Sequence, residues 1–488
     1  MKKISILIAA LTMFISCYND DNKTSDPLTT DVDLQIRNFV WKGLNLYYLW
    51  QEDVPNLSDT RFANQNELNT FVKQSPNPTT LFNSLLYERG VIDRFSVIFN
   101  DYTVLEQVLS GNSNSNGIDY GLFRKEPNSD QIIGWVRYVM PNSDAETKNI
   151  KRGDLFYAIN GTILTASNYR SLLANESYTM HFANYDNGNY TPNNQVITLN
   201  KHEYSENPVF HTQVYEINNH KIGYLMYNGF FGDYDSQLNN AFGYLASESV
   251  TDLILDLRYN SGGLISSATS LASMITGQYT NQVFASQQWN AKVMAYFEQQ
   301  GQLESLINRF RTNMNNGEAI NHLNLNRIYI LTSASTASAS ELIINGLKPY
   351  IQVIQIGGKT TGKNVGSITL YDSPTYGVAN RNNNHKYAMQ PLTLKIVNST
   401  GFGDYQTGII PNIELHENMG NIKPIGDPSE LFLATAISTI TGTPPPSADK
   451  QIDNNYFSDS KAIEPLKTEM YINNVEFNLD KNIPTLNK

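Results

Sequence analysis

The amino-acid sequence predicts the α/β class, as a mixed α+β chain of several domains. Three observations carry that expectation. The chain has 488 residues, room for about two to four domains at ~100–200 residues each. From 206 to 442 short apolar runs alternate with helical patterns, as in a largely parallel sheet covered by helices. From 106 to 205 the pattern is short strand-like runs broken by turns. Hydrophobic residues make up 40% and charged residues 17%, a composition able to bury a sizeable core.

Composition also excludes. There are 35 Lys and Arg against 46 Asp and Glu, a net charge of −11, with no basic patch, so a nucleic-acid partner is not expected. One cysteine rules out an internal disulfide and a Cys-based metal cluster within the chain. The seven histidines form no H-x-x-x-H pair, and His202-Glu203 and His416-Glu417 lack the second His of a zinc-protease motif. No metal and no cofactor are expected. There is no G-x-S-x-G elbow either.

The N-terminus reads as an address. Lys2 and Lys3 precede an apolar stretch from Ile4 to Ile15, of secretory-signal length. It ends at Phe14-Ile15-Ser16-Cys17, which resembles the lipobox of bacterial lipoproteins, where the signal (1–16) is removed and the Cys is lipidated. An ordinary signal peptide that happens to contain a Cys is the plainer alternative. Residues 17–32 are a polar tether. The expected place of work is outside the cytoplasm, with the membrane met only through a lipid anchor at Cys17.

Residues 33–105 form an expected helical domain, with Ile36, Phe39, Val40, Leu44 and Tyr47 at helical spacing and Leu81, Leu85 and Leu86 in a second apolar patch. Residues 103–117 read as a loop by composition. Strands are expected at Ile118–Phe123, Ile132–Val139, Leu155–Ile159 and Gln195–Leu199, then at Ile222–Tyr227, Leu253–Leu257, Ile328–Leu331 and Val353–Ile356. Past Pro444-Pro445-Pro446 the composition turns polar, so residues 443–488 read as a tail.

Three segments of 206–442 carry chemistry. Ser335-Thr336-Ala337-Ser338-Ala339-Ser340-Glu341 joins a strand to a helical pattern, which places a serine at the positive end of a helix dipole. Ser338-Ala339-Ser340-Glu341 is equally a capping box, S-x-x-E. Thr361-Gly362-Lys363 follows the next strand, and a buried lysine can act as general base because desolvation lowers its pKa. Asp256-Leu257-Arg258-Tyr259-Asn260-Ser261-Gly262-Gly263 ends a strand in a turn whose N–H groups can hold an oxyanion.

Taken together these segments resemble the C-terminal processing peptidases, or tail-specific proteases, over roughly residues 33–440. Gly408-Ile409-Ile410-Pro411-Asn412 and Gly426-Asp427-Pro428-Ser429-Glu430-Leu431 match late family segments. The resemblance implies a ClpP/crotonase-like α/β core with an inserted PDZ-like domain at 106–205. It implies Ser338 as nucleophile and Lys363 as base, with Ser340 and Lys359 as nearby rivals. Oxyanion donors would be Ala339 and Gly262 or Gly263. Gly117–Phe123 resembles the carboxylate-binding strand of PDZ domains, so a peptide C-terminus would add along Gly121, Leu122 and Phe123. Many members carry Gly after the lysine and Gln four positions past it. Here Asn364 and Ser367 stand there, and Ser367 could orient the lysine through its hydroxyl. The Asn-Val-Gly-Ser version resembles secreted lipoproteins of Bacteroidetes-type bacteria, which implies anchoring at the outer membrane, on the periplasmic face or the cell surface.

The expected function is an extracytoplasmic serine endopeptidase of Ser–Lys type, cleaving unfolded proteins or peptides with free C-termini. A non-catalytic peptide-binding lipoprotein on the same fold is the alternative, and an outer-membrane scaffold a third.

Overall fold

The computed structural model describes residues 31–186, 188–417, 419–446, 456–463 and 469–473. Cys17 and the leader lie outside the described residues.

The chain opens with helix Asp31–Tyr47, which buries Ile36, Phe39, Val40, Leu44 and Tyr47, the positions whose spacing marks one helical face. Helices Gln65–Val72 and Pro78–Ser84 follow. Each starts at an Asn whose side chain accepts a first-turn N–H: Asn64 from Glu67 and Asn77 from Thr80. This helical part shares its core with the large sheets, since Phe39, Leu44 and Leu81 sit in one apolar cluster with Leu255, Leu342 and Leu394. Strand Val97–Phe99 pairs antiparallel with Ala388–Gln390, far along the chain.

Residues 103–117 are not the loop expected from composition. Asp101 caps helix Tyr102–Leu109, and the Ser/Asn-rich stretch Asn112–Ser115 is a strand paired with His202–Ser205. A partner strand satisfies backbone groups that local composition assigns to water.

A seven-stranded antiparallel sheet follows, ordered Tyr456–Asp459, Ile118–Arg124, Ile132–Val139, Leu155–Ile159, Ser177–Asp186, Asn189–Asn200, with Thr162–Ile163 beside Leu155–Ile159. Its own core holds Leu122, Val136, Phe156, Met180 and Phe182.

The central sheet has six strands in the order Val209–Ile217, His220–Tyr227, Asp252–Asp256, Arg327–Thr332, Gln352–Gly357, Ile413–Glu414. The first pair is antiparallel and the rest are parallel. Parallel strands need covering on both faces, and helices Asp235–Ser247, Ile265–Thr276, Ala339–Leu347 and Leu431–Thr441 supply the cover. A second six-stranded sheet runs Gly263–Leu264, Met470–Ile472, Val365–Ile368, Leu392–Asn398, Val283–Trp289, Ile307–Arg309.

The tail expected at 443–488 therefore needs correcting. Two of its segments are strands, one at the edge of the small β-sheet and one inside the second large sheet. Polar composition hides them because each is short and borrows its ladder from pre-existing strands.

Candidate active site

The central strand Arg327–Thr332 ends in a loop that turns into helix Ala339–Leu347, with Ser338 at the junction. The loop is tied down from below. Thr336 Oγ1 donates to the Leu257 carbonyl at 2.8 Å, and Ala337 N–H to the Asn260 carbonyl at 3.2 Å. Ser338 has φ 63 and ψ −118, a backbone conformation L-residues rarely adopt, which costs about 1–3 kcal/mol and needs such supports. Its Oγ is buried and makes no hydrogen bond among the described residues. The capping pattern works from its other end, because Glu341 accepts the Ser338 N–H at 2.8 Å. The rival Ser340 is spent structurally: its hydroxyl donates to the Asn260 carbonyl at 3.0 Å.

Lys363 is fully buried, while the rival Lys359 is exposed. Burial pushes the Lys363 ammonium pKa down, opposed by the Glu469 carboxylate and Asp93 and assisted by Arg94. Its Nζ lies 4.5 Å from the Phe95 ring centre and 2.9 Å from Glu469 Oε2.

Glu341 joins the two segments, a role beyond the capping read in the sequence. Its Oε2 accepts the N–H of both Ser338 and Lys363 at 2.8 Å, so the two backbones meet on one oxygen atom. Oε1 accepts Gly362 N–H at 2.7 Å and the Thr360 hydroxyl at 2.5 Å. Burial raises the Glu341 pKa, and these four donors oppose the rise. An acidic residue directly before the apolar run Leu342-Ile343-Ile344 was the available signal.

The turn after Asp252–Asp256 carries Gly262 at φ 115 and Gly263 at φ 137, conformations reserved for glycine. A Cβ on Gly262 would lie 2.5 Å from Ser338 Cβ, and one on Gly263 would collide with the Phe230 backbone. Arg258 anchors the turn, pairing with Asp256 at 2.7 Å and Glu430 at 2.9 Å, which gives both sequence motifs a structural role. Of the expected oxyanion donors, Gly262 N–H is engaged by Asn260 Oδ1 at 2.9 Å, Gly263 is paired with Met470 in the second large sheet, and Ala339 opens the helix after Ser338.

The Ser367 hydroxyl donates to Glu469 Oε2 at 2.7 Å and accepts from Gln390 Nε2 at 3.0 Å, and the same Glu469 oxygen pairs with Lys363. Asn364 donates to the Gly403 carbonyl and holds the chain past the lysine. Gly121, Leu122 and Phe123 do form an edge able to take a further strand, and Tyr456–Asp459 occupies it.

Residues 221–414 match the profile of peptidase family S41, and residues 35–97 match the peptidase S41 N-terminal domain. A CtpA-like serine protease of Staphylococcus aureus (strain MSSA476) is 23% identical over 333 residues, 65% of this chain. The match spans 60% of that relative's length. The chloroplastic carboxyl-terminal-processing peptidase 3 of Arabidopsis thaliana is 28% identical over 144 residues, 29% of this chain and 24% of the relative. Among solved structures, an S41 protease from Bacteroides fragilis NCTC 9343 superposes with a TM-score of 0.63 at 24% identity, covering 83% of this chain and 97% of that one, a likeness of fold. The first profile spans the strands and loops that carry Ser338, Lys363 and the Gly262-Gly263 turn, the second the helical N-terminal part, and the chain belongs to peptidase family S41.

Proposed function

We propose that this chain is a serine endopeptidase of Ser–Lys type that acts on unfolded proteins or peptides outside the cytoplasm. The observation that carries the reading is the strained, buried Ser338, whose hydroxyl is unengaged and whose backbone shares the Glu341 carboxylate with Lys363. Ser338 Oγ attacks the scissile carbonyl while neutral Lys363 accepts its proton. Gly263 and Ala339 N–H groups hold the oxyanion. Lys363 returns the proton to the leaving amine, and water releases the acyl group from Ser338.

Substrate C-termini add as a strand along Gly121–Phe123 of a PDZ-like sheet, and Cys17 carries a lipid anchor to the outer membrane. Digestion of an unfolded protein, with the cuts mapped by mass spectrometry, tests the activity. It is expected with the native chain and absent with Ser338→Ala. Saturable peptide binding without turnover by either form would favour a peptide-binding lipoprotein instead. Cys17→Ser is expected to release the protein from the membrane fraction, and a native protein already found soluble would contradict the anchor.

A further inference from the structure

Two segments of the C-terminal region lie in the two places a peptide substrate needs. Tyr456–Asp459 adds antiparallel to Ile118–Arg124, in the register Tyr456↔Phe123, Ser458↔Leu122 and Asp459↔Gly121. Side chains fasten it. Asp459 pairs with Arg137 at 3.2 Å and accepts the Tyr456 hydroxyl at 2.9 Å. It also accepts at 2.5 Å from Ser335, in the loop that presents Ser338.

Met470–Ile472 then runs parallel between Gly263–Leu264 and Val365–Ile368, with Gly263↔Met470 and Ser367↔Tyr471 in register. It fills the gap between the oxyanion turn and the strand that follows Lys363. A Cβ on Gly262 would lie 2.8 Å from Ser338 Oγ and 2.9 Å from the Glu469 carbonyl oxygen, so that carbonyl sits beside the nucleophile. The Glu469 carboxylate, itself 4% exposed, takes Lys363 at 2.9 Å and the Ser367 hydroxyl at 2.7 Å.

We propose, resting on the Ser338–Lys363 reading above, that the segments 456–463 and 469–473 are an internal inhibitor: substrate-like strands that fill the sheet edge and the cleft together and must leave before another chain can enter. Strand addition is the generic way a peptide is captured, and both segments use it. Ser338 and Lys363 are each 0% exposed with the strand in place. A carboxylate at ion-pair distance favours the ammonium form of Lys363, which cannot take a proton from Ser338. A strand serving only to complete the sheet has no need of a buried carboxylate at that point, since burying a charge is costly.

Two forms of the whole chain test this. One carries Glu469→Gln. The other has a site for a sequence-specific protease inserted between residues 447 and 455 and is cut only after folding. The cut chain is expected to turn over an unfolded protein at least ten-fold faster in kcat/KM than the intact chain, and a synthetic 456–473 peptide to inhibit it competitively. Glu469→Gln is expected to raise activity several-fold. Unchanged activity after cutting, with no inhibition by the peptide, overturns the proposal. So does loss of activity in Glu469→Gln, which would make Glu469 a positioning residue for Lys363. If no form cleaves any substrate, the peptidase reading fails separately. The cut Ser338→Ala chain still decides the inhibitor: displacement of its C-terminal fragment by excess 456–473 peptide supports it, and retention overturns it.

Discussion

Ser338 and Ser340 stand two positions apart, and what separates them is the destination of each hydroxyl. Ser340 Oγ is committed to the Asn260 carbonyl, whereas Ser338 Oγ, on a strained backbone, has no hydrogen-bond partner among the described residues. Ser338→Ala is expected to abolish turnover, and Lys363→Ala likewise, with the double variant no worse because the two act as a unit. Ser340→Ala should keep activity and lose about 0.5–1.5 kcal/mol of stability, read from denaturant unfolding, because the Asn260 carbonyl loses one of its two donors and keeps the Ala337 N–H. Lys363 must be neutral to act as base, so activity should rise with pH through its lowered pKa. Glu469 opposes that lowering, so Glu469→Gln should move the rising limb of the kcat/KM profile to lower pH. A limb shifted to higher pH would contradict the assignment. Glu341→Ala removes the acceptor of three backbone N–H groups and one hydroxyl. At least about 3 kcal/mol of stability and most of the activity should go with it. Ser338 and Lys363 were legible because each follows a strand in a recognisable string. The link between them through Glu341 was half legible, since a capping Glu is readable locally but its bonds to Gly362 and Lys363 reach past strand Gln352–Gly357.

Strands with strong apolar character appear where the sequence places them. Ile132–Val139 and Leu155–Ile159 are reproduced residue for residue, and Leu253–Leu257 is shifted by one position. Elements that depend on a distant partner were not legible. Asn112–Ser115 has the composition of a turn and becomes a strand only because His202–Ser205 lies beside it. Tyr456–Asp459 and Met470–Ile472 are too short for periodicity and exist through the edges they complete. The strand Ile118–Arg124 serves two purposes. Its backbone offers an edge, while Leu122, fully buried, fills the core of the small sheet. Leu122→Ala should therefore destabilise that sheet by about 2–5 kcal/mol, read from thermal or denaturant unfolding. A loss near zero would mean that its side chain does not pack as described.

Across the whole molecule the helical N-terminal part, the small sheet and the two large sheets converge on one cleft. Phe95 from the first part lies against Lys363, and Arg137 from the small sheet reaches Ser335 in the loop before Ser338. The parts therefore cannot be assigned independent roles. What stands in the cleft is the chain's own strand Met470–Ile472, over Ser338 and Lys363, which are both fully buried. The measurement that bears most directly on Ser338 uses the chain cut between residues 447 and 455, with and without Ser338→Ala, incubated with an unfolded protein whose fragments are mapped over time. Ser338 as nucleophile predicts a defined set of fragments from the unsubstituted chain and none from a folded Ser338→Ala chain. The same fragments at the same rate from both would contradict it.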